Sequence, residues 1–369
     1  MESKTLRFFL GANSAQGFVS RFDQLGDPKR GWRCYVIKGG PGTGKSSLMK
    51  KLAARLGESC GPVEHIHCSS DVDSLDGVIF LEQKLSIADG TPPHAIEPRF
   101  PGAYENVVSL CDCWDKARLF KEREEIISLA ESISLCHKSS VGYLYAAGSL
   151  LTDLQMAVSD AVDSQKIIRF AKNLAQKEFP RQPGKRGHES IRLLSAITNK
   201  GPVLFNDTIE ALAPRLYIID DSWGAASQQL IQELRRLALE YGHDVLSCCC
   251  PLFPFTKVDH LFLPQLGLGF ATRNKFHPVT APAFRVIHAR RFTDMEKVTA
   301  RKHRISFLQK AARNMIDEAA SLISEAKSLH DQLEQHYVSA MNFTKVGAVA
   351  RQVIREFESY VLENSSPKE

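Results

Sequence analysis

The chain predicts an α/β fold built from two tandem copies of one unit, each a parallel sheet with helices followed by an α-helical hairpin arm. Three observations carry this expectation. The apolar run Tyr35-Val36-Ile37 leads into Lys38-Gly39-Gly40-Pro41-Gly42-Thr43-Gly44-Lys45-Ser46-Ser47, a glycine-rich turn set between a strand and a helix. Segments of the first half recur in the second half, in order and at a nearly constant offset. After each copy, turn residues become scarce and apolar residues fall at spacings of three and four.

Within the first copy, strands are expected at Cys34–Lys38, Val63–Cys68 and Leu85–Ala88, a helix from Lys45 to Gly57 and a short helix around Asp73–Phe80. Strands alternating with helices imply a parallel sheet. The first arm follows from Tyr104 to Gln176, with Ile126, Ala130, Ile133, His137, Ser140 and Leu144 along one seam. The second arm has Ile316, Ala319, Ile323, Ala326, His330, Leu333 and Tyr337 on the same spacing. Each arm reads as a helical hairpin, and the seam histidines read as polar residues tolerated in a helix pair rather than as metal ligands.

The repeat aligns Phe9–Ala12 with Leu193–Ala196, Tyr35–Ile37 with Tyr217–Ile219, Asp76 with Asp259, and His94 with His277. In the arms, His137 is paired with His330 and Ile168-Arg169 with Ile354-Arg355. The expected segments are 1–103 (sheet unit with the glycine-rich loop), 104–180 (arm), 188–293 (second sheet unit) and 294–369 (arm). The boundary lies in the Pro/Gly/basic stretch Phe179–Gly187. A length of 369 residues suits two domains, and 43% hydrophobic residues suffice for real cores. No run of eighteen apolar residues is present, so membrane insertion is not expected. Nine cysteines, including Cys248-Cys249-Cys250, suit a reducing, cytoplasmic setting better than a disulfide framework. A net charge of +5 is mild and does not argue for nucleic acid, without excluding it.

The chemistry concentrates in the first copy. Gly39, Gly40, Gly42 and Gly44, with Pro41 and Thr43 between them, let backbone N–H groups turn inward around phosphates, and the following helix adds its positive end. Lys45 is expected to reach the β/γ-phosphates and Ser46 to hold Mg²⁺, with Ser47 among the cofactor-binding residues of the loop. Asp89 ends an apolar strand and is the expected metal carboxylate, with Asp71, Asp73 and Asp76 in reserve. His94, just beyond, is placed to orient water or meet the γ-phosphate, or to make a structural hydrogen bond; the residues leave both open. In the second copy Lys45 aligns with Ser227, Ser46 with Gln228, Gly44 with Ala226 and Asp89 with Thr272, while Asp220-Asp221 would repel a triphosphate. That copy is expected to bind no nucleotide, and Arg273 and Lys275 beside His277 are candidates for a cation lent to the first site. A rival partition reads Leu216–Asp221 as the metal-carboxylate strand of one interrupted core, with Asp220 on the magnesium and Asp221 on the water.

The loop resembles that of the P-loop NTPase superfamily, and the wider pattern resembles a bacterial family of tandem P-loop ATPase-like proteins. The pattern comprises Arg7-Phe8-Phe9, the glycine-rich loop, His67-Cys68-Ser69-Ser70-Asp71, Leu75-Asp76-Gly77-Val78-Ile79 and Ala88-Asp89-Gly90-Thr91-Pro92-Pro93-His94. The resemblance spans nearly the whole chain and implies tandem P-loop NTPase-like domains around an ATP-binding, Mg²⁺-dependent core. The second loop departs from it by lacking the phosphate lysine, so one nucleotide per chain is expected. Thr256-Lys257-Val258-Asp259 has the T-K-x-D form that reads guanine, but so short a pattern arises easily by chance, and ATP is expected over GTP. His65 and His67 place two imidazoles on one strand face without a further ligand set. The basic residues from Arg290 to Arg304 read as a solvated helix face. Three functions fit: an ATPase whose cycle moves the arms against a protein partner, a small-molecule or nucleotide kinase, and a nucleotide sensor with negligible turnover.

Overall fold

The computed structural model describes residues 5–57 and 59–365. The first half runs β1 (Thr5–Phe8), β2 (Gly11–Ser14), β3 (Gly17–Ser20), β4 (Arg33–Lys38), α1 (Lys45–Leu56), β5 (Val63–His67), β6 (Leu75–Phe80), β7 (Leu85–Asp89), β8 (Glu105–Ser109), α2 (Lys116–Lys121), α3 (Arg123–Ser159) and α4 (Ser164–Glu178). The second half runs β9 (Glu189–Arg192), β10 (Ser195–Thr198), β11 (Gly201–Leu204), α5 (Asn206–Leu212), β12 (Arg215–Asp220), α6 (Ala225–Glu240), β13 (Val245–Cys249), β14 (Val258–Leu263), β15 (Leu268–Arg273), β16 (Arg285–His288), α7 (Met295–Ala300), α8 (Lys302–Ala340) and α9 (Phe343–Ser365). The two six-stranded sheets are ordered β1-β5-β6-β7-β4-β8 and β9-β13-β14-β15-β12-β16. Matching strands occupy matching places in both, the arrangement of a duplicated α/β unit.

Three expectations are corrected here. The sheets are mixed rather than parallel: β6 runs antiparallel to both β5 and β7, and β14 antiparallel to β13 and β15. The stretch expected as a helix around Asp73–Phe80 is mostly the strand β6, every residue of which is buried. A short apolar run has no period to separate a buried strand from a buried helix, and two sheet neighbours decide for the strand. The single interrupted core is also excluded, because β12 pairs with β15 and β16 of its own sheet and not with the strands around β4.

The compact units do not follow the order of the sequence, as the four consecutive segments would require. The first unit comprises the chain up to Gly11, Ser20–Ser139 and everything from Ser321; the second comprises Ala12–Val19 and Ser140–Ala320. In the first unit, α1 and the C-terminal α9 cover one face of the sheet. Val353, Phe357 and Val361 of α9 are buried with Tyr35, Leu52, Val78, Phe80 and Ile87. Phe357 is fully buried, its ring 4.7 Å from that of Tyr35. In the second unit, α4 and α6 play the same part, with Ile167, Ala171 and Leu174 against Tyr217, Leu230, Leu234 and Phe270. Each sheet thus receives a covering helix from the other half of the sequence.

A polar anchor is repeated with that helix. The Tyr217 hydroxyl donates to the buried carboxylate of Glu178 at the end of α4, which Arg215 also engages. In the first unit Tyr35 sits in the matching place beside Glu356 of α9. Burial and that carboxylate push its phenol up to about 12. The arms align by the same logic. Asp115 caps α2 as Asp294 caps α7, and the bridges Trp114↔Met341 and Val162↔Thr293 join equivalent residues. This register replaces the pairing of His137 with His330 and of Ile168 with Ile354. Truncating Phe357 to alanine should cost about 3–5 kcal/mol by cavity formation, while Phe343→Ala on the exposed first turn of α9 should stay within about 0.5 kcal/mol. Urea titration of the two variants checks this; equal effects would mean that α9 is not part of the core.

Candidate functional site

Strand β4 lies between β7 and the edge strand β8, parallel to both, and its carboxyl end opens at the side of the sheet where α/β proteins gather ligands. The loop 39–44 leaves that end and feeds α1. Gly42 and Gly44 have φ of 65° and 86°, left-handed values that favour glycine. No side chain caps α1, so its first-turn amides are left for another acceptor. The Thr43 hydroxyl donates to Gly40 O at 2.9 Å and braces the turn.

Lys45 folds its ammonium back over the loop, donating to Gly39 O at 3.0 Å and Gly40 O at 2.8 Å. It also lies 3.5 Å from Asp89 Oδ2. Asp89 is directly opposite Ile37 in the register of β4 and β7, which brings its carboxylate to the loop. Its other oxygen accepts from the Thr91 amide at 2.9 Å and the Thr91 hydroxyl at 2.6 Å. The Ser46 hydroxyl accepts the Leu75 N–H at 3.0 Å, tying α1 to β6. The structure therefore brings Lys45, Asp89 and His94 together, and sets Ser46 at the start of the same helix.

Close to Asp89 is a cluster that adds the reserve acid Asp76 to the expected pair of Asp89 and His94. His94 is buried, stacked on Phe22 at 4.9 Å, and its Nε2 lies 3.9 Å from Asp76 and 4.0 Å from Asp89. Burial pushes the Asp76 carboxyl up to about 6, with His94 opposing and Asp89 adding to the rise. Burial and Asp76 likewise hold the Cys68 thiol well above its ordinary value, which makes it an unreactive sulfur. The signal for Asp76 was present as its alignment with Asp259. Asp71 is instead paired with Lys327 at 3.5 Å, and Asp73 offers its carbonyl to Lys50. His65 and His67 are 6.5 Å apart on β5, and His67 is engaged with the Val72 carbonyl.

The second unit answers the same demands with different residues. Gly224, at φ 78°, precedes α6 as Gly44 precedes α1, so the second loop is shorter and Lys45 corresponds to Ala225 rather than Ser227. The fully buried Asp221 carboxylate accepts the Trp223 amide at 3.1 Å and the Ser227 amide at 2.8 Å. An internal anion already holds this loop. The ammonium comes from elsewhere: Lys257, from the turn before β14, is 2.9 Å from Asp259, which is 3.1 Å from His277. Burial alone would raise Asp259, yet His277 and Lys257 hold it well below the usual carboxylate range. Cys250, Asp259 and His277 converge with metal-ligating atoms, but Lys257 supplies the cation at this carboxylate. The adjoining cleft has about 870 Å³ of open volume, and its lining includes Leu154, Trp223, Gly224, Lys257, His277 and Arg313. Arg273 pairs with Asp220 at 3.3 Å.

These buried groups make two measurable claims. Lys257→Met leaves Asp259 with one partner fewer and should lower stability by about 3–5 kcal/mol, read as a fall in Tm. Asp76 titrates higher in the fold than its ordinary 3.8, so between about pH 4 and about pH 6 the folded state binds more protons than the unfolded one. Its contribution is therefore fully present at low pH and lost as pH rises through that window. Asp76→Asn should flatten that part of the stability profile, measured by urea midpoints at about pH 4.5 and about pH 7; an unchanged slope would refute the assignment. No protein-family model, curated protein or solved structure matches the chain.

Proposed function

We propose that the loop Gly39–Ser47 binds the triphosphate of ATP with Mg²⁺, and that the protein is an ATPase using binding and hydrolysis as a switch on a protein partner of its helical arms. The observation that carries this reading is the convergence of Lys45 and Asp89, 3.5 Å apart, beside a glycine-rich loop and a helix whose first-turn amides no side chain caps. A triphosphate would accept from those amides and draw the Lys45 ammonium off Gly39 O and Gly40 O onto its β- and γ-oxygens. Oxygen donors suit magnesium: the Ser46 hydroxyl and the Asp89 carboxylate would hold it, directly or through water, and it would neutralise charge developing between the phosphates. His94 and Asp76, in the layer behind Asp89, keep that carboxylate in a defined electrostatic setting. The second loop takes no part as a phosphate site, since Asp221 fills the role a phosphate would play.

Equilibrium titration with a fluorescent ATP analogue should give one nucleotide per chain. Lys45→Ala should weaken affinity by at least about tenfold, or about 1.4 kcal/mol, and abolish phosphate release; equal affinity and turnover would defeat the reading. Asp89→Asn should reduce turnover more than affinity, since it alters metal orientation and leaves the amide cradle intact. Phosphate release without an acceptor separates an ATPase from a kinase, and tight binding without release would mark a sensor.

A further inference from the structure

One turn of α8 lies directly on the glycine-rich loop of the first unit. The Gly42 N–H donates to Glu334 Oε1 at 3.1 Å. A Cβ placed at Gly42 would stand 2.8 Å from Val338 Cγ2 and 3.1 Å from the Glu334 carbonyl, and one at Gly40 would stand 2.9 Å from the Tyr337 ring. The contact is braced from the segment that follows β8. Trp114 meets Tyr337 edge-on at 6.1 Å, the Asp115 amide donates to Ala340 O at 2.8 Å, and the Asn342 amide donates to Cys113 O at 2.6 Å. Glu334 itself is held by one amide and has His330 at 3.8 Å, with two fifths of its side chain exposed.

We propose that Glu334 is an internal stand-in for phosphate and that the α8 turn from Glu334 to Val338 is a gate, which must leave the loop before a nucleotide tail can enter. This rests on the reading of the loop as a phosphate site. The carboxylate occupies an amide that phosphate oxygens would use, and its charge repels a triphosphate. Lys45, meanwhile, is parked on its own loop carbonyls. The duplicated fold supplies an internal comparison: the matching position on α3 is Gln155, which is bonded to Gln228 of α6, while the second loop's amides are held by Asp221. The second loop carries its anion permanently in its own sequence, whereas the first borrows one from a helix that can withdraw. Because coupling is reciprocal, nucleotide binding drives the turn off the loop, and whatever holds α8 away raises nucleotide affinity by the same factor.

The test measures affinity for a fluorescent ATP analogue with Mg²⁺ in the full chain and in Glu334→Ala, Glu334→Gln and Val338→Ala. It adds hydrogen exchange of residues 330–340 with and without a non-hydrolysable ATP analogue. Glu334→Ala should bind about tenfold tighter, Glu334→Gln less so because it keeps an acceptor while losing the charge, and Val338→Ala should tighten binding by loosening the turn. Amides of 334–340 should exchange faster once nucleotide is bound. Equal affinities with unchanged exchange would overturn the gate and leave the nucleotide site standing. Weaker binding in Glu334→Ala would also overturn it, by making Glu334 a ligand-supporting residue. Absence of binding in every form would bring down the site and the gate together.

Discussion

A tight turn that aims several amide groups at one point, at the positive end of a helix, is unfavourable unless an acceptor stands at that point. Both halves of this protein build a glycine turn into a helix after the same strand, and the arrangement around each loop follows from which carboxylate its amides meet. In the second unit Asp221 is drawn into the turn and buried, so the loop is finished and self-contained. In the first, the loop has no carboxylate of its own, and Glu334 reaches it from α8. The difference separates a turn that is only structural from one with an exchangeable acceptor.

The same contrast holds one layer deeper. Both units keep an acid and a histidine at matching places under the loop, Asp76 with His94 and Asp259 with His277, and both bring an ammonium to this region. In the first unit the ammonium is Lys45, on the loop itself and close to Asp89. In the second it is Lys257, from the turn before β14 rather than from the loop, locked to Asp259. A charge that stabilises a buried acid is preserved while the chain position that provides it moves, because burial makes an unpaired carboxylate far costlier than a change of donor. The relocated lysine no longer has the loop geometry needed to follow a phosphate.

Much of the loop was legible in the sequence because its chemistry is local: Gly39 to Ser47 is a contiguous stretch, and Asp89 follows from a strand ending in a turn. The duplication was legible because residues such as Tyr35 and Tyr217 recur in order. What escaped was non-local. The apolar face of α9 announces that Val353, Phe357 and Val361 are buried, but two copies of one sheet offer equivalent surfaces, and amphipathic spacing does not say which is covered. Glu334 gave no signal at all, being one acid on a helix of mixed charge whose neighbour lies 292 residues away. The strand β6 was missed because a strand buried on both faces has no alternation to read.

Sequence-distant covering helices also set an order of assembly. The residues of the second unit have all been synthesised once the chain passes Ala320, whereas the sheet around β4 must wait for residues 343–365 before Tyr35, Val78 and Phe80 are shielded. On a ribosome the sheet that carries the glycine-rich loop is made before the other and completed after it. A chain cut short anywhere before α9 presents an open apolar sheet face, the kind of surface by which chaperones and proteases recognise unfinished proteins. The loop therefore acquires its finished surroundings only after residues 343–365 have been made, so that its half of the structure waits on a segment that follows the whole of the second unit.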